Sequence, residues 1–254
     1  MTVLVLYNAP QSTCSQRVRF SLNAKGLSFE EVRLNLFEGD QLKSDYLALN
    51  PNGVVPTLVH DGNVVTDSSV ILEYLDEVFP DRAPMTPADL VSRARMRAMM
   101  RYTDEVPAAA IRIPSYNLAF LPHFQSMTEE EFRALADSKP LRREFLLSMG
   151  RTGFPKEQMD EAMGRLERAV VRMDGWLRDG GGPWLMGESL SLADVMLMPV
   201  IVRMDDIGLH RMWAERPAVA GWLEKIRAHP AFRPTFYFGS LLTEKYPHLR
   251  ERRG

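Results

Sequence analysis

The sequence predicts a mixed α/β domain followed by a larger domain made only of helices. Residues 3–7 form an apolar, strand-like run that leads through a hydroxyl-rich turn into an amphipathic helix. Two further apolar runs flank a hairpin-type dipeptide at Asp61-Gly62, which predicts a pair of antiparallel strands. From Asp89 onward the apolar residues recur at helical spacing, which indicates a change of fold class along the chain.

The turn between the first strand and the first helix is the most informative segment. It contains Ser12, Thr13 and Ser15, and each hydroxyl can accept a hydrogen bond from a free N–H group at a helix start. The helix dipole adds partial positive charge at the same point, so the turn is suited to hold an anion such as a thiolate. Alternatively, these hydroxyls serve only as helix caps.

The first domain continues with strands predicted over residues 57–59 and 64–65. A capping cluster at residues 66–69 then precedes a periodic apolar segment at residues 70–75, which predicts another helix. The pattern therefore gives the order strand, helix, strand, strand, helix.

A linker is predicted at residues 79–87, where three prolines interrupt the helical periodicity. It separates a domain of residues 1–80 from a domain of residues 88–254. Ser191 and Asp194 have the spacing of a capping box, and we expect the apolar helix that follows to lie at the centre of the second domain. Helical patterns in this domain cover residues 90–106, 129–137, 156–178, 192–207 and 217–228.

Composition excludes several classes of protein. A chain of 254 residues with 45% hydrophobic residues can bury a sizeable core, and a net charge of −2 does not indicate a nucleic-acid-binding surface. No apolar run reaches the roughly 18 residues of a membrane span, and no leader is visible, so we expect a soluble cytoplasmic protein. The single cysteine, Cys14, fits a reducing compartment, and the five scattered histidines do not indicate a metal site.

The chain resembles the cytosolic glutathione transferases over nearly its whole length. Four motifs that occur in order carry the resemblance: residues 12–19, Val55-Pro56, Asp67-Ser68, and Ser191-Leu-Ala-Asp194. The resemblance implies a thioredoxin-like β-α-β-α-β-β-α domain followed by an all-α domain. It also implies glutathione as the cofactor and a homodimer that acts in detoxification.

A hydroxyl of the turn is implied to activate the thiol of glutathione. Ser12 aligns with the active serine of the zeta and theta-like transferases, and Thr13 and Ser15 are the alternatives. Both positions of a Cys-x-x-Cys redox pair are serine here, so disulfide exchange through this motif is not available. Lowering a thiol pKa of about 8.5 by about two units needs roughly 2.7 kcal/mol, which a hydroxyl donor and a helix N-terminus can supply. Cys14 is expected to pack beside the site.

The resemblance assigns the binding of glutathione to residues of the first domain. Pro56 is expected to follow a cis peptide bond, which turns the Val55 backbone toward the cysteinyl part of glutathione. Asp67 is expected to meet the γ-glutamyl ammonium, and Ser68 the carboxylate; alternatively, both only cap the helix. Gln41 occupies the place of a side chain that reaches the glycyl carboxylate in relatives, or it is an ordinary solvated residue.

The pocket for the electrophile is expected between the first domain and the first long helix of the second. An aromatic C-terminal tail is expected to close it, which favours a large, hydrophobic and uncharged substrate. Alternatively, these residues belong to the core or to a dimer interface. The predicted lining consists of Tyr102, Val106, Ala109, Ile113, Phe236 and Phe238.

The predicted function is attack of glutathione thiolate on a hydrophobic or aromatic electrophile. Residues 124–132 and 153–159 look like the corresponding region of bacterial β-aryl etherases, which cleave aryl ethers of lignin-like dimers with glutathione, so such cleavage is one outcome. Dehalogenation, peroxide reduction and zeta-like isomerisation are alternatives, and isomerisation of a dicarboxylate would need a basic residue such as Arg112. A noncatalytic glutathione-fold binding protein is the alternative from another class.

Overall fold

The computed structural model describes the backbone of residues 2–253 and has the two-part architecture that the sequence predicts. The first part contains β1 (Leu4–Asn8), α1 (Thr13–Ala24), β2 (Glu30–Arg33), α2 (Ser44–Leu49), β3 (Thr57–His60), β4 (Asn63–Thr66) and α3 (Ser68–Val78). This β-α-β-α-β-β-α order confirms the expected thioredoxin-like arrangement.

The four strands form one sheet in the order β2-β1-β3-β4. β1 and β2 are parallel, whereas β3 is antiparallel to both β1 and β4. Asp61 and Gly62 connect β3 to β4 with positive φ at both positions, 47° and 82°, which is the geometry of a tight hairpin and confirms the predicted strand pair. Alternate side chains of β1, Leu4 and Leu6, pack with buried residues of α1 and α3 in a core of their own.

The second part consists of helices joined by short turns, and none of those in the described residues is long and apolar enough to cross a membrane. They are α4 (Leu90–Glu105), α5 (Pro107–Ala110), α6 (Arg112–Ser115), a π-helical turn (Tyr116–Phe120), α7 (Leu121–Gln125), α8 (Glu129–Asp137), α9 (Arg143–Met149), α10 (Lys156–Gly180), α11 (Leu192–Asp206), α12 (Pro217–Ala228), α13 (Phe232–Thr235) and α14 (Leu242–Lys245). α4, α8, α10, α11 and α12 confirm the helices predicted from apolar spacing.

α11 forms the centre of the helical part, as expected. Every residue from 192 to 204 is buried in it. Asp194 completes the predicted capping box by accepting hydrogen bonds from the Ser191 N–H at 2.9 Å and the Ser191 hydroxyl at 2.7 Å. Its other oxygen accepts from the Trp222 indole at 2.8 Å. This carboxylate has no exposure to solvent, so its role is structural.

A buried cation of α1, Arg17, joins the two parts, and a second one at the C-terminal end of α1, Lys25, holds the linker between them. Arg17 donates to the Met196 carbonyl of α11 at 3.0 Å and pairs with Asp104 of α4 at 2.7 Å. Lys25 pairs with Asp76 of α3 at 2.6 Å and also donates to carbonyl groups of the predicted linker. The cleft between the two parts is therefore formed by surfaces whose relative position is fixed.

Candidate functional site

A cavity of about 190 Å³ lies between the two parts of the chain, at the N-terminal end of α1. The first wall, as we call it, consists of the lining residues of the thioredoxin-like part, which belong to the turn before α1 and to residues 36–55. The second wall consists of lining residues 111–146, joined by Arg203 of α11. The cavity therefore lies at the junction of two different folds.

The hydroxyl-rich turn contributes Ser12, Thr13 and Cys14 to the first wall. Ser12 is the N-cap of α1, and its Oγ accepts a hydrogen bond from the Ser15 N–H at 3.2 Å. Because this bond uses a lone pair of the hydroxyl, the Ser12 proton stays free for a ligand. Ser15 is fully buried, and its Oγ accepts from the Ala9 N–H at 3.3 Å, so it supports the turn and does not line the cavity.

The segment before β3 and the 3₁₀ turn at residues 40–42 supply the rest of the first wall. The Val55–Pro56 peptide bond is cis, which confirms that expectation, and Val55 lines the cavity while Pro56 is buried. Gln41 is only 3% exposed, so it is not an ordinary solvated residue. Its Nε2 donates to the Leu36 carbonyl at 3.4 Å, and its Oε1 is buried without a partner in the described part of the chain.

Asp67 is the N-cap of α3 and does not line the cavity. Its carboxylate accepts hydrogen bonds from the N–H groups of Ser69 at 2.8 Å and Val70 at 3.3 Å. Partial burial acts to raise the pKa of Asp67, but the hydrogen bonds from Ser69 and Val70 together outweigh it and hold the pKa below its ordinary value. Asp67 has a φ of +69°, which is uncommon for a residue other than glycine and typical of functional positions.

Arg17 is a residue at this end of the site that the sequence did not predict. Its Nη1 donates to the Ser68 hydroxyl at 3.1 Å as well as to Asp104 at 2.7 Å. Its Nη2 is buried and has no hydrogen-bond partner among the side chains described for residues 2–250 or the described backbone. A buried donor of this kind normally has an acceptor, so a ligand acceptor fits here. An arginine in an amphipathic helix has no sequence signal that separates it from a solvated side chain.

The predicted electrophile pocket differs from the one in the structure. Tyr102 and Val106 line a separate open cavity between α4 and α10, and neither Ala109 nor Ile113 lines the cavity beside Ser12. The prediction placed all four positions around the first long helix of the second domain, whose predicted span is residues 90–106. In the structure α4 ends at Glu105 and Pro107 starts a new helix, because proline cannot continue the hydrogen-bond ladder.

The aromatic tail also lies elsewhere than expected. Phe236 stacks on Phe232 with ring centroids 4.5 Å apart, and Phe238 is 80% exposed; neither lines the cavity beside Ser12. Between them, Tyr237 donates a hydrogen bond to Glu31 of β2. This contact holds the tail against the edge strand of the sheet. The tail therefore gives no support for an uncharged substrate.

The second wall is aromatic in a segment that the prediction did not use. Tyr116, Phe120 and Phe124 line the cavity together with Phe37 from the first wall. Tyr116 packs edge-on against Phe120 at 5.0 Å and stacks on Phe124 at 5.9 Å between ring centroids. Burial raises the pKa of Tyr116, so its hydroxyl stays protonated at neutral pH. These rings give the cavity an apolar surface suited to an arene.

The second wall is also cationic. Arg112, Lys139 and Arg142 line the cavity with Arg203, whose Nη2 donates to the Gln11 carbonyl at 2.6 Å. Burial lowers the pKa of Lys139, and burial with repulsion from Arg142 lowers the pKa of Arg112. Among these cations only Arg112 was a sequence candidate, for a dicarboxylate substrate, because the others belong to no motif.

The similarity to known proteins covers almost the whole chain. The family model of the glutathione S-transferase N-terminal domain matches residues 11–78, and that of the C-terminal domain matches residues 156–225. LigF of Sphingobium sp. strain SYK-6 is 30% identical, with 92% of this chain and 93% of LigF aligned. The crystal structure of beta-etherase LigF from this strain superposes with a TM-score of 0.83 and covers 92% of this chain and 98% of LigF.

Two further relatives differ from LigF in their names. Glutathione S-transferase 1 of Dianthus caryophyllus is 32% identical, over 78% of this chain and 75% of that protein. Maleylacetoacetate isomerase of Pseudomonas aeruginosa is 30% identical, over 90% of this chain and 93% of that protein. The chain is therefore similar at comparable levels of identity to proteins named for three different reactions.

Proposed function

The chain belongs to the glutathione S-transferase family, and on this premise we propose that it binds glutathione at the Ser12 turn and directs the thiolate onto an aromatic electrophile in the adjacent cavity. The observation that carries this proposal is the contrast between the two walls. A free hydroxyl at a helix N-terminus forms part of one, and aromatic rings form the other. The first suits an anionic sulfur, and the second suits an aromatic carbon skeleton.

The residues around the first wall fit glutathione because of the polar atoms that they leave unpaired. The Arg17 Nη2 and the Ser68 hydroxyl proton are donors that suit the carboxylate of the γ-glutamyl group, and the ionised Asp67 suits its ammonium. The buried Oε1 of Gln41 is an acceptor that suits a peptide N–H. The backbone of Val55, before cis-Pro56, completes this surface as the family resemblance implies.

Bound glutathione supplies a thiolate nucleophile. In our proposal Ser12 donates its free proton to the sulfur, and with the dipole of α1 it favours the thiolate over the thiol. Arg112 adds positive charge near the same turn, since it lies close enough to Cys14 for their charges to interact. Thr13 is the alternative donor, and Ser15 acts only by holding the turn in place.

We propose cleavage of a β-aryl ether as the reaction of this site. The similarity to beta-etherase LigF extends over 92% of this chain, and therefore over most of the segment between the two family-model matches, to which the aromatic part of the second wall belongs. Phe120 and Phe124 offer apolar faces to the arenes of such an ether. Enclosure by both walls keeps the reacting bond away from water.

The test is incubation of the protein with glutathione and an α-aryloxy ketone, with the phenol and the thioether quantified by mass spectrometry. We expect both products in equal amounts, and a strong loss in the Ser12→Ala/Thr13→Ala double variant but not in a Ser28→Ala control, which changes an exposed serine. If the protein forms a thioether from 1-chloro-2,4-dinitrobenzene but releases no phenol from the ketone, ether cleavage is contradicted and the transferase activity stands. Failure to bind glutathione would overturn the whole proposal.

Isomerisation is the second candidate. The similarity to an isomerase of Pseudomonas aeruginosa and the position of Arg112 in the cavity favour it. Isomerisation returns glutathione unchanged, whereas transfer consumes one glutathione for each product molecule. Titration of free thiol during turnover of maleylacetoacetate and of the aryloxy ketone separates the two reactions.

We further propose that the protein is a cytoplasmic homodimer with a role in detoxification of aromatic compounds. Cys14 as the single cysteine supports a reducing compartment, and exposed apolar side chains at Leu90, Val91 and Val171 support an interface formed by α4 and α10. Light scattering after size-exclusion chromatography tests the dimer, and cell fractionation tests the location.

A further inference from the structure

The second wall of the cavity carries more positive charge than a bound thiolate needs. Arg112, Lys139 and Arg142 all line it, and no aspartate or glutamate lines the cavity in the part of the chain that the structure describes. Arg203 also lines the cavity, but its guanidinium is engaged by the Gln11 carbonyl at 2.6 Å and its charge interacts favourably with a buried aspartate. Three cations therefore remain to be explained.

These three cations have almost no protein partners. Among the side chains that the structure describes, those of residues 2–250, Arg112 and Lys139 form no hydrogen bond or ion pair. Arg142 forms one long hydrogen bond, to the Leu141 carbonyl at 3.3 Å. Partly buried charges without partners destabilise a fold, so clusters of this kind are typical of sites that a ligand of opposite charge completes.

Two acids close in sequence, Asp137 and Glu144, do not neutralise the three cations, because Arg143 binds both of them. Arg143, next to Arg142, contacts Asp137 at 2.7 Å and Glu144 at 2.5 Å on the outer surface. Asp137 at the end of α8 and Glu144 in α9 thus pair with Arg143 on the outside, whereas Lys139 and Arg142 in the connection between these helices line the cavity. The excess of positive charge is a property of the cavity and not of the whole segment.

Glutathione does not account for this charge under the function proposed above. Its γ-glutamyl end is assigned to Arg17, Ser68 and Asp67, and its sulfur to Ser12. The family resemblance places its glycyl carboxylate at Gln41, so all these groups belong to the thioredoxin-like part. Lys139 and Arg142 belong to the opposite wall, beside Phe124 and the other rings that are proposed to hold the electrophile. A neutral arene there would leave both cations unpaired.

We propose that the electrophile is an aromatic compound that bears a carboxylate, and that Lys139 and Arg142 bind this carboxylate. This proposal rests on the transferase function proposed above. The rings of the second wall then hold the arene, and Arg112, nearer the Ser12 turn, faces the reacting end. Carboxylates suit this pair because an arginine fork and a lysine ammonium can share the two oxygens of one group.

The test compares two electrophiles that differ only in charge, 4-chloro-3-nitrobenzoate and its methyl ester, with saturating glutathione. In both reactions a carbon–sulfur bond replaces the carbon–chlorine bond, chloride leaves and the thiol proton passes to the buffer. Each kcat/KM is divided by the uncatalysed rate with glutathione, because the ester is intrinsically more reactive. We expect the wild type to prefer the acid by about tenfold or more, the scale of one charge-assisted hydrogen bond.

Variants test which side chains cause the preference for the acid over the ester. Lys139→Gln/Arg142→Gln should bring the normalised acid-to-ester ratio to within about twofold of unity, mainly through a higher KM for the acid. Arg133→Gln/Lys156→Gln removes two exposed cations of the same part of the chain and should keep the ratio. Lys139→Arg/Arg142→Lys keeps both charges and should also keep the normalised acid-to-ester ratio. This variant therefore distinguishes a loss of charge from a loss of folding.

Direct binding gives a second readout. Calorimetry with the two product thioethers, the acid and its methyl ester, should show about tenfold tighter binding of the acid to the wild type, and no difference for the double glutamine variant. Equal normalised rates and affinities for acid and ester in the wild type would overturn the proposal. A rise in the KM for glutathione in Lys139→Gln/Arg142→Gln, of the same size with the acid and with the ester, would also overturn it, because the cations would then bind glutathione. Absence of turnover with either electrophile would instead contradict the transferase function.

Discussion

The two walls of the cavity differ in how their polar groups are satisfied. In the first wall and the turn beneath it, Ser12 and Ser15 each have a partner inside the protein, and so does Asp67 at the start of α3. In the second wall, Arg112 and Lys139 have none among the described residues. On the first side the fold therefore leaves only single buried atoms, Gln41 Oε1 and Arg17 Nη2, for a ligand, whereas on the second side we infer that a ligand pairs whole charged groups.

This difference teaches where the specificity of such an enzyme resides. Caps at helix starts hold the first wall, and these contacts exist whether or not a ligand is bound. The second wall combines short helices with unpaired cations, so its composition can change without loss of the glutathione side. Perturbing each side in turn should break or sharpen this comparison.

The largest expected effect is on stability, at the residue that joins the satisfied side to the helices. Arg17→Met leaves the Asp104 carboxylate and the Met196 carbonyl without their donor and should lower the free energy of unfolding by about 3 kcal/mol. The control is Arg97→Met, which removes a half-exposed contact with Glu73 between the same two parts and should cost less than about 1 kcal/mol. Urea denaturation checks both values, and equal losses would contradict the ranking.

The next effect is on catalysis. Ser12→Ala should raise the pKa of bound glutathione and lower kcat/KM by about ten- to a hundredfold, the range expected for one hydrogen bond to a charged group. Ultraviolet absorbance of the bound thiolate from pH 5 to 10 measures the pKa. Because alanine also removes the cap of α1, Ser12→Gly is the matched variant, since glycine is tolerated at this position with a loss of only a few tenths of a kcal/mol.

Thr13→Val provides the comparison for that experiment. Thr13 lines the cavity but does not cap α1, so its loss should change the thiolate titration less than the loss of Ser12. A larger change with Thr13→Val would transfer the role of donor to Thr13. No change with either variant would leave Arg112 and the helix dipole as the source of thiolate stabilisation.

The sequence predicted the two-part architecture well because the signals for it are local. A cap at Ser12, the Asp61-Gly62 hairpin and the capping box at Asp194 each depend on a few neighbouring residues, and the structure has all three. The five helices with clear apolar spacing were predicted for the same reason. Such features do not depend on the path of the distant chain.

The second wall could not be predicted, because tertiary packing decides it. Tyr102 and Val106 line a separate cavity between α4 and α10, and the short helices that follow the break at Pro107 have no period long enough to detect. Lys139 and Arg142 look like ordinary surface cations in the sequence. Only the position of their neighbours shows that both line a cavity without acids.

A smaller effect is expected on the affinity for glutathione. Asp67→Asn removes the charge that we assign to the γ-glutamyl ammonium but keeps a good helix cap, so KM for glutathione should rise about tenfold while stability changes little. The hydrogen bonds from Ser69 and Val70 hold the pKa of Asp67 below its ordinary value despite partial burial, so the carboxylate is ionised throughout pH 5–9. The rise in KM should therefore be independent of pH in this range, as steady-state kinetics can check.

The smallest effect is expected at the aromatic tail. Phe238 is 80% exposed, and the contact of Tyr237 with Glu31 holds this segment against β2, so Phe238→Ala should change kcat/KM for any electrophile by less than about twofold. Phe37→Ala is the comparison, because Phe37 lines the cavity and packs on Phe120 at 5.5 Å between ring centroids. It should raise KM for an aromatic substrate by about two- to tenfold, the scale of one aromatic pair. If Phe238→Ala had the larger effect, the tail would have to close over the substrate during turnover, and Phe238 would then belong to the second wall.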